Sequence, residues 1–251
     1  MIRGVDIAAQ GMIAESWRVA IYTNNLANIS TGGFKRDELA IGSSFSVELK
    51  RVDDKNTPYR PAIGNFNDSN FDYKFVTDNQ RGSIVETGNP LDLAITGSGF
   101  FTIQGQNTLL YTRNGNFTTN TKGELITGEG FNVLGEKGNI VIPGNKKVYI
   151  DEDGRVVSDG KIIDRILIKD FTNPEKLSKL GSGYLVPGQG MTPEASSAVI
   201  KQGHIEGSNV NTIREMVNIM ESQKNYQANE RAIKAQMETL TQAVTSVGRV
   251  G

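Results

Sequence analysis

The sequence predicts an α+β chain in which long N- and C-terminal helices form a coiled-coil-like layer, with a mainly antiparallel β middle domain between them in sequence. Two observations carry this. Both ends repeat apolar or small side chains at helical spacing, and the stretch between them is rich in glycine, hairpin dipeptides and short β-patterned runs. In chain order the expected parts are a helix over 1–30, an extended connector over 31–80, a β-rich domain over 81–207 and a second helix over 208–251.

Residues 2–29 contain no proline, and Val5, Ala9, Met12, Ser16, Val19, Thr23 and Leu26 recur in alternating steps of four and three. That spacing puts them on one narrow stripe, the repeat of a coiled-coil seam. Trp17 reads as a packing residue on this helix. Asn24, Asn25 and Asn28 fall near its end, where their amides can either satisfy free carbonyls or bridge to an adjacent subunit. Ser30-Thr31-Gly32-Gly33 is breaker chemistry and should stop the helix.

The connector mixes Asn, Asp, Pro and Ser with scattered aromatics and has only some strand character. Beyond it, strands are expected at Leu91–Ile95, Phe100–Ile103, Leu109–Arg113, Asn116–Thr119, Glu124–Thr127, Asn139–Ile142, Val148–Ile150, Arg155–Val157, Lys161–Lys169 and Ala198–His204. Asp153-Gly154 and Asp159-Gly160 are hairpin signals, and Thr121-Lys122-Gly123 reads as a longer turn.

From about Asn211 to Val247 neither glycine nor proline occurs. Ile219, Tyr226, Ile233, Leu240 and Val247 stand seven apart, and Met216, Gln223, Glu230, Met237 and Val244 form a second ladder at coiled-coil offsets. Gln223 and Glu230 would weaken a dry seam and are expected instead to fix register with a partner. Ser208 or Asn211 is the expected cap, with Glu215 in the first turn near the positive end of the helix dipole. A helix of that length spans about 55 Å at 1.5 Å per residue.

Composition excludes much chemistry. The chain of 251 residues has 27 Lys plus Arg, 28 Asp plus Glu and a net charge of −1, so no bulk attraction to nucleic acid or anionic membrane is expected. It has no cysteine and one histidine, which removes thiolate metal sites, cysteine nucleophiles and most serine–histidine triads. No apolar run is long enough to span a bilayer, and the N-terminus does not read as a cleaved secretory signal. His204 reads as a structural strand residue. Asp151-Glu152-Asp153-Gly154 resembles the start of a calcium loop without its terminal acid and reads as a hairpin turn. Glycine-rich spots complete no nucleotide-binding spacing. No catalytic residue, cofactor or metal is expected. A hydrolase using Asp92 with Glu124 and a soluble β binding module closed by its helices are the competing classes.

The two terminal helices either pair only with each other or bind further partners. Ala228, Ala232, Ala235 and Ala243 lie outside the main ladders, so helix surface is in excess, which favours self-assembly, including with copies of the same chain. On that reading the assembly positions are Val5, Ala9, Met12, Val19, Leu26, Asn24, Asn25 and Asn28 in the first helix. In the second they are Met216, Ile219, Gln223, Tyr226, Ile233, Met237, Leu240 and Val244. The ends should order fully only when neighbours cover them.

Three blocks carry a resemblance: Asn24-Asn25-Leu26-Ala27-Asn28-Ile29-Ser30-Thr31-Gly32-Gly33-Phe34-Lys35-Arg36; Gly88 to Ile95 with Gly97-Ser98-Gly99-Phe100-Phe101 and Tyr111-Thr112-Arg113-Asn114-Gly115-Asn116-Phe117; and Gln202-Gly203-His204-Ile205-Glu206-Gly207-Ser208-Asn209-Val210-Asn211 leading into Glu215-Met216-Val217-Asn218 and Gln223 to Asn229. In this order they resemble the bacterial flagellar rod and hook family, over about 1–38 and 80–248; residues 39–79 match none of its motifs. The resemblance implies a rod subunit of the basal body in the periplasmic space, exported without cleavage through the flagellar type III apparatus. It also implies helical polymerisation with copies of itself and other axial subunits, and torque transmission from motor to hook. Within the family, Val133 to Pro143 and the chain length look most like the proximal-rod member, with the distal-rod member next.

Overall fold

The computed structural model describes residues 2–43, 46–50, 62–67, 71–106, 108–143, 147–181, 183–188 and 190–248. They form two compact units that do not follow chain order. One gathers Met1–Asn24, Asp37–Val76 and Ile213–Gly251; the other gathers Asn25–Arg36 and Thr77–Thr212.

In the first unit, helix α1 covers Ile2–Ala27 and helix α2 covers Thr212–Val247, 26 and 36 residues long. At 1.5 Å per residue α2 extends about 54 Å. The two lie side by side and antiparallel: a side chain at Gly4 would meet Gln236, and one at Gly11 would meet Asn229. Much of the stretch expected as a connector is a paired ribbon. Asp37–Ser43 pairs with Phe71–Thr77, and Ser46–Lys50 pairs antiparallel with Ala62–Asn67. The rest of that stretch's interior, 44–45, 51–61 and 68–70, lies outside the described residues. Phe75 of the ribbon meets Trp17 of α1 edge-on at 5.9 Å, and the Tyr73 hydroxyl donates to the Gln10 carbonyl at 3.4 Å.

The second unit is built on antiparallel pairing. Its main sheet runs in the order Ser178–Leu180, Tyr184–Val186, Leu109–Thr112, Phe100–Gln104, Asn132–Gly135, Leu125–Thr127, Phe117–Thr119, with Ile168–Asp170 added beside Phe100–Gln104. Phe101, Ile103, Leu110, Phe117, Leu125 and Val133 point into the large core, while Phe100, Tyr111, Phe171, Leu177 and Leu185 form a smaller cluster. Both faces of Phe100–Ile103 are thus covered, which is why Phe100 and Phe101 are both buried although they point to opposite faces.

The expected hairpins form where the turn residues lie. Val148–Ile150, Arg155–Ser158 and Lys161–Arg165 make a three-stranded meander. In the second of its turns Ser158 pairs with Lys161, and Asp159 and Gly160 both take positive φ, 51° and 74°. That is the two-residue turn whose twist matches the flanking strands. Thr121-Lys122-Gly123 likewise joins Phe117–Thr119 to Leu125–Thr127. The run expected over Lys161–Lys169 breaks at Ile166-Leu167, so its two halves pair with different neighbours.

Candidate assembly surface and its anchor

Against α2 the first helix places Gly4 and Gly11, one position before Val5 and Met12 of the expected stripe. Ala8, Ala14, Glu15, Ile21 and Asn25 are the buried residues of α1, and Gly4 and Gly11 touch α2. Val5, Ala9, Met12, Val19 and Leu26 sit one position round the helix and are half-buried, while Ser16, Thr23 and Asn24 are exposed. The shift has a simple cause. A residue without a side chain lets two helix backbones approach, so the glycines belong inside the contact although they carry no apolar signal.

On α2 the ladder of Ile219, Ile233 and Leu240 is half-buried, with Tyr226 more exposed. The rungs between them are Glu215, Ser222, Asn229 and Gln236, again seven apart. The first two are buried and the last two face the glycines of α1. This polar ladder was missed because polarity was read as surface; its heptad spacing was the available signal. The second expected ladder points elsewhere: Met216, Gln223, Met237 and Val244 are exposed, and Glu230 pairs with Lys234 of its own helix at 2.6 Å. Gln223 and Glu230 thus lie outside the α1–α2 contact, where the Asn229 and Gln236 amides face Gly11 and Gly4.

The helix pair therefore buries polar groups beside small apolar ones and leaves part of its apolar surface exposed. The Glu15 carboxylate bonds Arg18 at 2.8 Å through one oxygen, while its other oxygen and that of the Gln236 amide are buried without a donor among the described residues. Outside, Ile213, Met216, Val217 and Met220 are exposed along the first turns of α2, Ile213 by 75% and Met220 by 53%. Ile7, Ile13 and Trp17 are exposed on α1, so Trp17 packs on Phe75 through one edge and is not a core residue.

In the second unit, the chain leaving α1 and the chain approaching α2 are anchored together. Thr31 caps the Asn28 side chain at 3.3 Å, and Gly33 takes φ 68° with its α-carbon so close to the Arg113 backbone that a Cβ would lie 2.4 Å from it. The Gly33 N–H donates to the Glu206 carbonyl at 2.7 Å. Directly below, the Lys35 ammonium lies 2.5 Å from one Glu206 carboxylate oxygen and the Arg113 guanidinium 3.4 Å from the other. All three side chains are buried, to 7%, 8% and 2% exposure for Lys35, Arg113 and Glu206. Burial above all lowers the Lys35 and Arg113 pKa values, and the Glu206 carboxylate works against that. Asn209 completes the knot: its amide oxygen accepts the Arg36 N–H at 2.7 Å, and its amide nitrogen donates to the Asp78 and Gln80 carbonyls at 3.0 and 3.1 Å. Lys35, Arg113 and Glu206 each come from a different one of the sequence blocks that carried the family resemblance.

The other candidates resolve locally. His204 Nδ1 lies 2.8 Å from the Gln202 carbonyl oxygen, on the strand His204–Glu206. Asp92 accepts from Thr87 at 2.6 Å and Asn89 at 3.1 Å, and Glu124 accepts from Asn120 at 2.7 Å, so each acid has its own structural partner. Asp151 accepts the Arg155 N–H at 2.8 Å and closes a tight turn, as expected for a hairpin. Ser208 accepts the Val210 N–H at 3.3 Å just ahead of α2.

One unit pairs two long helices that leave apolar side chains exposed, the other holds Lys35, Arg113 and Glu206 in one buried charge cluster, and among the described residues neither presents a catalytic arrangement; these are features of a structural subunit. Known families match along the chain in the same order. "Flagella basal body rod protein" matches residues 6–35, "Flagellar hook protein FlgE/F/G D1 domain" residues 94–158 and "Flagellar basal body rod FlgEFG protein C-terminal" residues 201–246. The flagellar basal-body rod protein FlgG of Agrobacterium fabrum is 30% identical over 92% of this chain and 94% of its own length. FlgF of Caulobacter vibrioides is 31% identical over 92% and 91%, and FlgG of Bacillus subtilis 28% over 97% and 98%. The chain belongs to the flagellar basal-body rod protein family. It is a structural subunit of the flagellar rod, not an enzyme.

Proposed function

We propose that the chain polymerises through α1 and α2 into the axial drive shaft of the basal body and transmits torque from motor to hook. What supports this reading is the uncovered apolar surface of the helix pair: Ile213, Met216, Val217, Met220, Met237 and Val244 of α2 are exposed, as are Ile7, Ile13 and Trp17 of α1. Such a pair is weakly stabilised alone, and neighbours that cover the apolar faces supply the missing burial. Each covered aliphatic side chain contributes about 1.5–3 kcal/mol before ordering costs. In the tube the pair then forms one repeat of a coiled-coil-like layer, and a heterologous contact that does not close on itself generates a helical assembly.

The partners on this reading are copies of the chain and the other rod and hook subunits, reached by export through the type III apparatus without cleavage into the periplasmic space. None of the described helices is long and apolar enough to cross a membrane. Val5, Ala9, Met12, Val19 and Leu26, half-buried in the single chain, complete their burial against neighbours, together with Ile219, Ile233 and Leu240. Residues 133–143 and the chain length favour the proximal position, with the distal position next; images of basal bodies with this subunit labelled would test it. The polymerisation reading is tested by replacing Met216 and Met220 with serine. The monomer should keep its fold while association in sedimentation and electron microscopy is lost; unchanged association contradicts the reading.

A further inference from the structure

A cleft of about 420 Å³ opens in the β-containing unit beside the buried charge cluster. Lys35, Arg81 and Arg113 line it, with Asp170 as the only carboxylate on its walls and Phe100 and Phe171 as apolar flanks. Glu206 lies behind Lys35 and Arg113 and bonds both. Asp170 is engaged by the Phe171 N–H at 2.8 Å. One positive charge is left over, and it is the exposed Arg81, which has no hydrogen-bond or ion-pair partner among the described residues. After burial and Glu206, the Arg81 charge also acts on Arg113 and lowers its pKa, so the two guanidinium groups repel across the cleft. An anion seated there relieves that repulsion and gains from the low-dielectric wall.

The chain itself carries a group of the right chemistry. Asp151-Glu152-Asp153 is the only run of three consecutive acidic residues in the sequence. It sits on a rigid turn: the Gly154 N–H donates to the Asp151 carbonyl at 3.0 Å, and the Ile200 N–H donates to the Glu152 carbonyl at 3.0 Å. Arg155 holds Asp151 and Asp153 at 3.8 and 3.3 Å, whereas the exposed Glu152 side chain has no partner among the described residues.

We propose that the Arg81 cleft receives the Glu152 turn of a second copy of the chain, as a contact between β bodies additional to the one made by the terminal helices. This rests on the reading that copies associate. A positive cleft and a negative turn on one body allow a head-to-tail contact, which propagates into a filament where the rotation between copies does not close. Charge complementarity of this kind sets orientation and choice of partner more than overall affinity, and it weakens with salt.

The test is a charge swap in the full-length protein, read by sedimentation and electron microscopy of association. Arg81→Glu and Glu152→Arg each change an exposed side chain, so circular dichroism and the melting temperature should match those of the unmodified chain. Each single reversal should raise the concentration needed for association about tenfold at low salt, and the combined Arg81→Glu/Glu152→Arg chain should recover to within about threefold. Single reversals without effect, or a combined chain no better than the worse single one, overturn the proposal while leaving assembly through α1 and α2 intact. If the unmodified chain fails to associate, the reading on which the proposal rests falls with it.

Discussion

Replacing Glu206 with glutamine keeps the shape of the side chain and removes its charge. Lys35 and Arg113 then remain buried, to 7% and 8% exposure, 2.5 and 3.4 Å from a neutral amide. Breaking one partner of a buried ion pair costs about 3–5 kcal/mol, because the remaining charge is left without compensation. With a urea dependence of about 2–3 kcal/mol per molar for a chain of this size, the midpoint should fall by about 1–2 M. The pH response has a defined sign. The folded Lys35 pKa is already lowered by burial, and losing Glu206 lowers it further. The folded state then binds fewer protons than the unfolded state between that lowered value and about 10.5, so stability of the variant should rise with pH across this window. Urea titrations followed by tyrosine circular dichroism at pH 7 and 9.5 measure both effects. Adding Lys35→Met removes one of the stranded cations, and the pair should lose at least about 1.5 kcal/mol less than the sum of the single losses. A Glu206→Gln loss below about 1 kcal/mol, or a variant that weakens on going to pH 9.5, would refute the assignment of Glu206 as the charge that holds this junction.

At Gly33 a Cβ would lie 2.4 Å from the Arg113 backbone at φ 68°, so Gly33→Ala should destabilise by more than the roughly 1–2 kcal/mol of a left-handed residue alone; a loss below 1 kcal/mol in urea denaturation would contradict the close approach. Gly11→Leu drives a branched chain into Asn229, which a Cβ alone would approach to 2.7 Å, and should increase amide hydrogen exchange in α1 and α2 without affecting the β strands. Unchanged exchange in the helices would count against the antiparallel contact. Burial first, and the hydrogen bond to Glu129 second, raise the Tyr184 pKa. Its contribution to stability is complete below the unfolded value of about 10 and is lost as pH climbs through the folded one, so alkaline denaturation should be shallower in Tyr184→Phe; identical alkaline curves would contradict this.

Local patterns were legible in the sequence and long-range ones were not. Asp159-Gly160 specified its turn because both residues accept positive φ, and the helices announced themselves through periodicity and the breaker at Gly32-Gly33. The helix contact was only partly legible, because Gly4 and Gly11 act through the absence of a side chain and Glu215 and Ser222 of α2 are polar yet buried. The ribbon of Asp37–Ser43 and Phe71–Thr77 lies among polar and proline-containing residues with weak alternation, so its pairing is settled by the partner strand and the helix beside it. Lys35, Arg113 and Glu206 are far apart in sequence and carry no spacing signal. Each nonetheless belongs to a motif block, and what those blocks share became visible only when the fold brought them to one buried point.

The lack of any cysteine makes a single introduced thiol a clean reporter, and Met220→Cys places it on the outward side of α2. Maleimide should label it within minutes in the dilute monomer and fail to label it in intact basal bodies carrying the same variant. Equal labelling in both would mean that this face meets water in the finished organelle, and that the helices do not build the shaft.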